Sequence, residues 1–395
     1  MKKTLVALAT LSAIGSALAD VDVSGGIKLY GVLDESVQSQ KLTSPISSTY
    51  NSTTVGLYST AATSRLGVRG SRDLGDEVKA ELQVEIELDP DTSTLLPAKN
   101  RGTFVGLSHP KGGIVRLGTQ ETTAYEIFGN DVNGRVEYKP QVWRTTASSS
   151  TQDRANNSIK YITPQFMGLT GHFMKGYSEY ASTYSGGPEF VSAGLKFKQD
   201  KLKIEYVVDQ LTNTQMGYAF YGQANAGVAK TKPGSSTSTN LITSAAYYYD
   251  CSSACTSTTT NTSKTITRNI FSGSYDFGSF SVNYIYADSA KLSLGSLKTS
   301  TIGVKVPYEK LTFAVSTGYG DLNSKTSAQV PTQSSSAITK VALAKSGTVK
   351  DTTLGITYSF DKSTTAYVYY STGSFTGGTV DGTNTTMAVG ARYNF

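Results

Sequence analysis

Apolar and polar residues alternate along most of this chain. Val78, Ala80, Leu82, Val84, Ile86 and Leu88 share one face of an extended segment whose other face carries Lys79, Glu81, Gln83, Glu85 and Glu87. The same rhythm reaches the far end, where Met387, Val389, Ala391, Tyr393 and Phe395 oppose Ala388, Gly390, Arg392 and Asn394. A period of two is the mark of a strand with one apolar face. Helical spacing sustained over three turns is hard to find. Segments of this kind, bounded by turn residues, predict strands at 22–35, 63–72, 77–88, 99–108, 113–120, 154–163, 168–178, 189–198, 202–211, 266–276, 280–288, 298–307, 311–320, 349–360, 364–373 and 384–395. That makes sixteen, an even number.

The connections alternate in length. Tight turns fall at Asp73–Asp76, His109–Gly112, Pro164–Met167, Gln199–Asp200, Asp276–Ser279, Tyr308–Lys310 and Asp361–Ser363. Every second connection is longer: 36–62, 89–98, 121–153, 179–188, 212–265, 289–297, 321–348 and 374–383. A soluble sandwich has no reason to keep its long loops at one end, whereas transmembrane barrels pair short turns with long external loops. The apolar face then meets lipid and the polar face lines a lumen too wide for side chains to fill. With no water in hydrocarbon every backbone group must pair, so the sheet closes. The fold class is all-β, a sixteen-stranded antiparallel transmembrane barrel. One strand strains the rule: on Leu169–Tyr177 the apolar face read from Leu169 and Phe173 also takes Lys175, for which a bulge, a place near the polar rim or a subunit contact would account.

Composition agrees with extended, half-polar segments: 38 Gly, 25 Tyr, one Trp and 17% charged residues. Two histidines and two cysteines are too little for a Cys/His metal site or a Cys–His nucleophile, so no metal, cofactor or thiol chemistry is expected. Lys2 and Lys3, the apolar run Thr4–Ile14 and Ala17-Leu18-Ala19 read as a cleaved export signal over 1–19, leaving one barrel domain over 20–395. Losing the two lysines takes the formal charge from +6 to +4, a mild basicity unlike that of a nucleic-acid binder. Beyond residue 19 no apolar window is long enough for a transmembrane helix. Cys251 and Cys255 close a small loop in a Ser/Thr-rich stretch and predict a local disulfide in an oxidising compartment. The alternative, a C-x-x-x-C metal or redox motif, has no other ligand residues beside it.

Leu29-Tyr30-Gly31, Ser64–Gly70 (SRLGVRG) with Asp73-Leu74-Gly75, Asn100–Leu107 (NRGTFVGL), Val115–Gly118 (VRLG), Asn157-Ser158 and the closing Tyr393-Asn394-Phe395 together resemble the Gram-negative general porins, most of all the anion-preferring trimeric branch of beta-proteobacteria. The resemblance runs from Asp20 to Phe395. It implies an outer-membrane homotrimer in contact with lipid and lipopolysaccharide, passing ions and small hydrophilic solutes by diffusion. Tyr393 and Phe395 resemble the signal by which the barrel-assembly machinery recognises such chains.

Arg65 and Arg101 each lie eight residues before a short turn, and Arg154 ten before one. Eight residues place a guanidinium roughly 20 Å above the turns, so the three are expected at similar depth on one wall. Arg65 alternates with Leu66 and Val68, and Arg101 shares parity with Thr103, which points both into the lumen. Glu85, on the intervening strand, is expected between them as a bridging acid, and Lys160 extends the basic track from Arg154. By resemblance, the third long connection, 121–153, folds inward as the constriction loop, with Glu121, Glu126 and Asp131 facing the arginines across a narrow eyelet. The segment Glu126–Asp131 matches the enterobacterial loop motif only loosely, and Val32 stands where those porins carry a lysine. No catalysis is expected: His109 sits in a turn and His172 has no neighbouring carboxylate on its strand. The competing reading is a substrate-selective channel capped by the connection 212–265.

Overall fold

The alternation resolves into a strand at each of the sixteen predicted positions. In the computed structural model, the described residues are 21–24, 26–43, 52–58, 61–90, 94–126, 154–177, 189–212, 266–292, 295–324, 329–334, 337–342, 346–376 and 382–395. The strands are β1 (Val21–Ser24), β2 (Ile27–Thr43), β3 (Ser52–Tyr58), β4 (Arg65–Gly75), β5 (Val78–Asp89), β6 (Thr94–His109), β7 (Gly113–Glu121), β8 (Arg154–Ile162), β9 (Leu169–Gly176) and β10 (Glu189–Gln199). They continue with β11 (Leu202–Thr212), β12 (Ile266–Asp276), β13 (Ser281–Leu292), β14 (Gly295–Tyr308), β15 (Leu311–Ser324), β16 (Gln329–Ser334), β17 (Ala337–Ala342), β18 (Ser346–Ser359), β19 (Thr364–Thr376) and β20 (Gly382–Asn394). A single helical turn, α1 (Thr123–Glu126), follows β7.

Eighteen strands form one sheet, and β16–β17 form a separate hairpin inside a long connection. The sheet closes because β2 pairs along one edge with β20, from Val32↔Asn394 to Thr43↔Thr383, and along the other with both β3 and β4. Since β3 and β4 share one place in the wall and β1 only extends the edge beside β2, the barrel has sixteen positions, all antiparallel. Two expectations shift. The first strand, expected over 22–35, is broken by a tight hairpin at Gly26 (φ +82°) and then runs on to Thr43. The connection 36–62 holds most of its extra length as paired strand, β2 against β3, so the ribbon rises above its neighbour β5.

The wall is inside-out relative to a soluble β-protein. Val105 is 60% exposed, Val389 51% and Leu82 37%, while the inward Asp34, Asp209, Arg268 and Thr353 are buried. In water each such half-exposed Leu or Val would forfeit about half of the ~1.5–3 kcal/mol that full burial gains, so this surface belongs against hydrocarbon. At the short-turn end, Phe166, Phe277, Tyr308, Phe360 and Tyr393 form an exposed aromatic girdle. The strands supply the crossing: among the described residues no helix is long and apolar enough to span a membrane. Lys175 does face outward, but as the penultimate residue of β9, with its ammonium 5.0 Å from the centre of the Tyr177 ring. That places it at the rim.

The short turns repeat one device. Asp73, Asp276 and Asp361 each accept a backbone N–H two residues ahead, at 2.7 to 2.8 Å, closing the turn with a side chain. The amides of Thr364 and Ser363 hold the exposed Asp361 carboxyl below its usual pKa. At the seam, Gly31 N–H donates to the Phe395 carbonyl at 2.7 Å and Phe395 N–H returns the bond at 3.1 Å. The Phe395 ring lies where a Cβ on residue 31 would be.

Candidate functional site

The basic cluster is built around Glu85. From β2, the Tyr30 ring lies across Gly67, its direct partner on β4, in space that any side chain there would fill. Its hydroxyl thereby reaches β5 and donates to Glu85 Oε2 at 2.9 Å. The same carboxylate takes Arg65 Nε at 3.3 Å and a hydrogen bond from Arg101 Nε. Two guanidiniums therefore share one acid, and Arg65 also interacts with Arg101 and Glu121. A buried carboxylate that accepts two hydrogen bonds and pairs with a further guanidinium is fixed in place, and so are the cations on it.

Arg101 reaches this point by a different route from the one its parity implies. Thr103 lies on the outward face with Val105 and Leu107, so strict alternation would send Arg101 into lipid. The register of β5 with β6 shifts between Val84↔Thr103 and Ile86↔Asn100, and this bulge turns Arg101 inward, where it is 8% exposed.

The expected constriction-loop acids are corrected in one respect: Glu121 and Glu126 stand in the basic wall and pair with it, not across an open gap from it. Arg154 Nη2 donates to Glu121 Oε1 at 2.8 Å, and its guanidinium lies 5.4 Å from the centre of the Tyr125 ring. Asn157, at φ +46°, marks the register shift that brings Arg154 opposite Glu121. Thr122 caps α1, its Oγ1 accepting Tyr125 N–H at 3.2 Å. Ala124 seats in an apolar socket on the inner wall made by Val207, Ile270, Ile285 and Ala287. Glu126 is gripped from three neighbouring strands: by Lys160, by Lys196 at 3.0 Å and by His172 at 3.6 Å. Burial would raise its pKa, but Lys160, Lys196 and His172 outweigh burial and hold it well below the usual carboxylate range. Lys160 adds a bond to the Glu121 carbonyl at 3.1 Å, tying strand to loop. Asp131, Cys251, Cys255, the export signal and most of the connections 121–153 and 212–265 lie outside the described residues.

Several inward groups escaped the alternation argument. Arg116 pairs with Glu81 at 2.6 Å, its guanidinium 4.7 Å from the centre of the Phe104 ring, and Arg69 lies 4.9 Å from that of Tyr30. Arg268 and Asp209 form a buried pair at 2.9 Å. Cross-strand partnership, Gly106↔Arg116 beside Glu81↔Gly106, was the available signal, but it needs register as well as parity. His172 does have a carboxylate beside it, Glu126, delivered by α1 and not by its own strand. His109 serves its turn, with Nδ1 accepting Lys111 N–H at 3.1 Å and Gly112 N–H at 3.0 Å.

Comparison with known proteins agrees with this architecture. The chain is 32% identical over 257 residues to outer membrane porin protein 32 of Delftia acidovorans, spanning 58% of this chain and 68% of that one. It is 27% identical over 206 residues to the major outer membrane protein P.IB of Neisseria meningitidis serogroup B, spanning 52% and 58%. Among solved structures, the anion-selective porin from Comamonas acidovorans superposes with a TM-score of 0.63 at 19% identity, covering 93% of this chain and 99% of that one, a likeness of fold. A family description, Gram-negative porin, matches residues 4–378. A closed barrel with lipid-facing apolar residues and a charged inner wall is what that family builds, and the chain belongs to it.

Proposed function

We propose that this porin is an outer-membrane diffusion pore for ions and small hydrophilic solutes with a mild preference for anions, set by Arg65, Arg101, Arg154 and Lys160. The observation that carries the preference is the imbalance at Glu85: two guanidiniums on one carboxylate leave a fixed positive surplus on the wall. Lys160 and Lys196 on Glu126 repeat the pattern, moderated by Glu205 3.7 Å from Lys196. Arg154, paired with Glu121, continues the basic track, while Arg116 is matched by Glu81. Fixed charge in a narrow, low-dielectric passage biases which ion enters without any reaction. The Delftia relative and the Comamonas structure, named as an outer membrane porin and an anion-selective porin, support this reading. Export by a cleaved signal over 1–19, assembly as a homotrimer and recognition of Tyr393 and Phe395 by the assembly machinery belong to the same proposal and rest on family resemblance. Reconstitution in a planar bilayer under a salt gradient tests it. A reversal potential of anion sign is expected, and a cation sign overturns the assignment.

A further inference from the structure

The break between β3 and β4 puts a second piece of chain inside the barrel. The ladder between β2 and β4 stops at Val32↔Arg65. Beyond it, one hydroxyl replaces a backbone partner: Ser64 Oγ accepts Asp34 N–H at 2.9 Å and donates to the Asp34 carbonyl at 3.0 Å. On the other side, Leu88 N–H donates to the Ser64 carbonyl at 2.9 Å. The wall stays hydrogen-bonded at Ser64, so the residues before it can leave the sheet without orphaning its backbone groups.

They leave inward. Asp34 faces the lumen between the outward Leu33 and the inward Ser36, and its Oδ1 accepts Ala61 N–H at 2.9 Å and the Tyr367 hydroxyl at 3.0 Å. Tyr367 comes from β19 and lies across Gly390, its partner on β20, where a Cβ would collide with the Tyr367 hydroxyl. Ala61 packs on Tyr367 and Tyr369, whose rings stack with centroids 4.7 Å apart and planes 12° from parallel. The clamp thus sits on β19 and β2, on either side of β20. The α1 socket sits on β11 to β13, its centre six of the sixteen strand positions from β20.

We propose that Ala61–Ser64 is a second pore-narrowing element, clamped by Asp34 and Tyr367 and set on a different sector of the wall from the anchor of α1. It presents backbone and methyl groups beside the basic wall, with Arg65 Nη1 donating to the Thr63 carbonyl at 3.1 Å, so it limits solute size while the arginines sort by sign. The inference rests on the barrel being an open diffusion channel.

Asp34→Ala and Asp34→Asn separate clamp from charge, since both remove the carboxylate's charge but only asparagine keeps an oxygen for Ala61 N–H and the tyrosine hydroxyl. The segment is one chain thick, about 5 Å, so releasing it should raise unit conductance about 1.5-fold in Asp34→Ala and leave Asp34→Asn near wild type. Liposome swelling should show larger neutral sugars entering only the alanine variant. Heat-modifiable migration on gels confirms that each variant folds. In a background with Cys251 and Cys255 replaced by serine, Ala62→Cys should react with a charged thiosulfonate and drop the current of open channels. Equal conductance in the two Asp34 variants, or labelling of Ala62→Cys with no change in current, overturns the proposal. A wild-type protein that forms no channel would instead refute the pore reading on which it rests.

Discussion

Tyr30 and Tyr367 make the same move on neighbouring sectors of the barrel with opposite results. Each lies across a glycine on the adjacent strand, Gly67 or Gly390, and gives its hydroxyl to a carboxylate one strand further on. At Glu85 the carboxylate goes on to hold Arg65 and Arg101. At Asp34 it goes on to hold the amide of Ala61, a backbone group in place of a cation. The lesson is that the tyrosine–glycine–carboxylate bridge is indifferent to function. What the acid grips on its far side decides whether that sector sorts charge or takes up space.

Breaking the bridge at its acid should give the largest effect. Glu85→Gln leaves two close guanidiniums without a counter-charge and is expected to cost about 3 kcal/mol, read as a lowered denaturation midpoint of the folded barrel. The same variant should increase anion preference, so stability and selectivity move in opposite directions. Filling the glycines comes next: Gly67→Val displaces the Tyr30 ring, and Gly390→Val meets the Tyr367 hydroxyl together with the Glu35 carbonyl and Ser36 Cβ of β2, each at about 1–3 kcal/mol. They sharpen the comparison because Gly67→Val should alter the reversal potential and Gly390→Val the unit conductance. A single shared phenotype would show that the two sectors are not independent. Arg101→Gln removes the surplus at Glu85 while sparing the Tyr30 bond, and should move the reversal potential toward the cation side at a stability cost of about 1–3 kcal/mol, since a buried charge-assisted hydrogen bond is lost.

The smallest effect is expected from acid. Glu126 has its folded pKa below the 4.5 of a free glutamate, so the stability its contacts contribute is fully present above pH 4.5 and is lost only as the pH falls through the lower folded value. Channel conductance attributable to the α1 anchor should therefore be constant from neutral pH down to 4.5. A midpoint within that range that persists in His172→Gln and is lost in Glu126→Gln would show that Lys160 and Lys196 do not hold the acid as the geometry has them.

Period-two alternation carried the fold, because lipid outside and water inside impose opposite demands on successive residues, and the Asp-led turns supplied the punctuation. It failed where the ladder slips. Arg101 shares with Thr103 a parity that points away from the lumen, and only the bulge opposite Glu85 turns it inward. Glu121 and Glu126 were placed across a gap from the basic wall because the chain order of a loop says nothing about which strand it lands on. The socket of Val207, Ile270, Ile285 and Ala287 decides that, and those residues are scattered over three strands. The tyrosine bridges were invisible for a related reason: Tyr30, Gly67 and Glu85 are neighbours only once two registers are fixed.

The seam at Gly31 and Phe395 has a consequence for how the molecule comes into being. Strand β2 lies early in the chain and its partner β20 lies late, so the ring has no partial form in which both exposed edges are satisfied. Such remote pairing is slow, since most of the polymer must be ordered before its ends reward one another. Until they meet, every greasy ribbon is a sticky edge. Closure therefore comes last, after the wall between those two strands has been laid down.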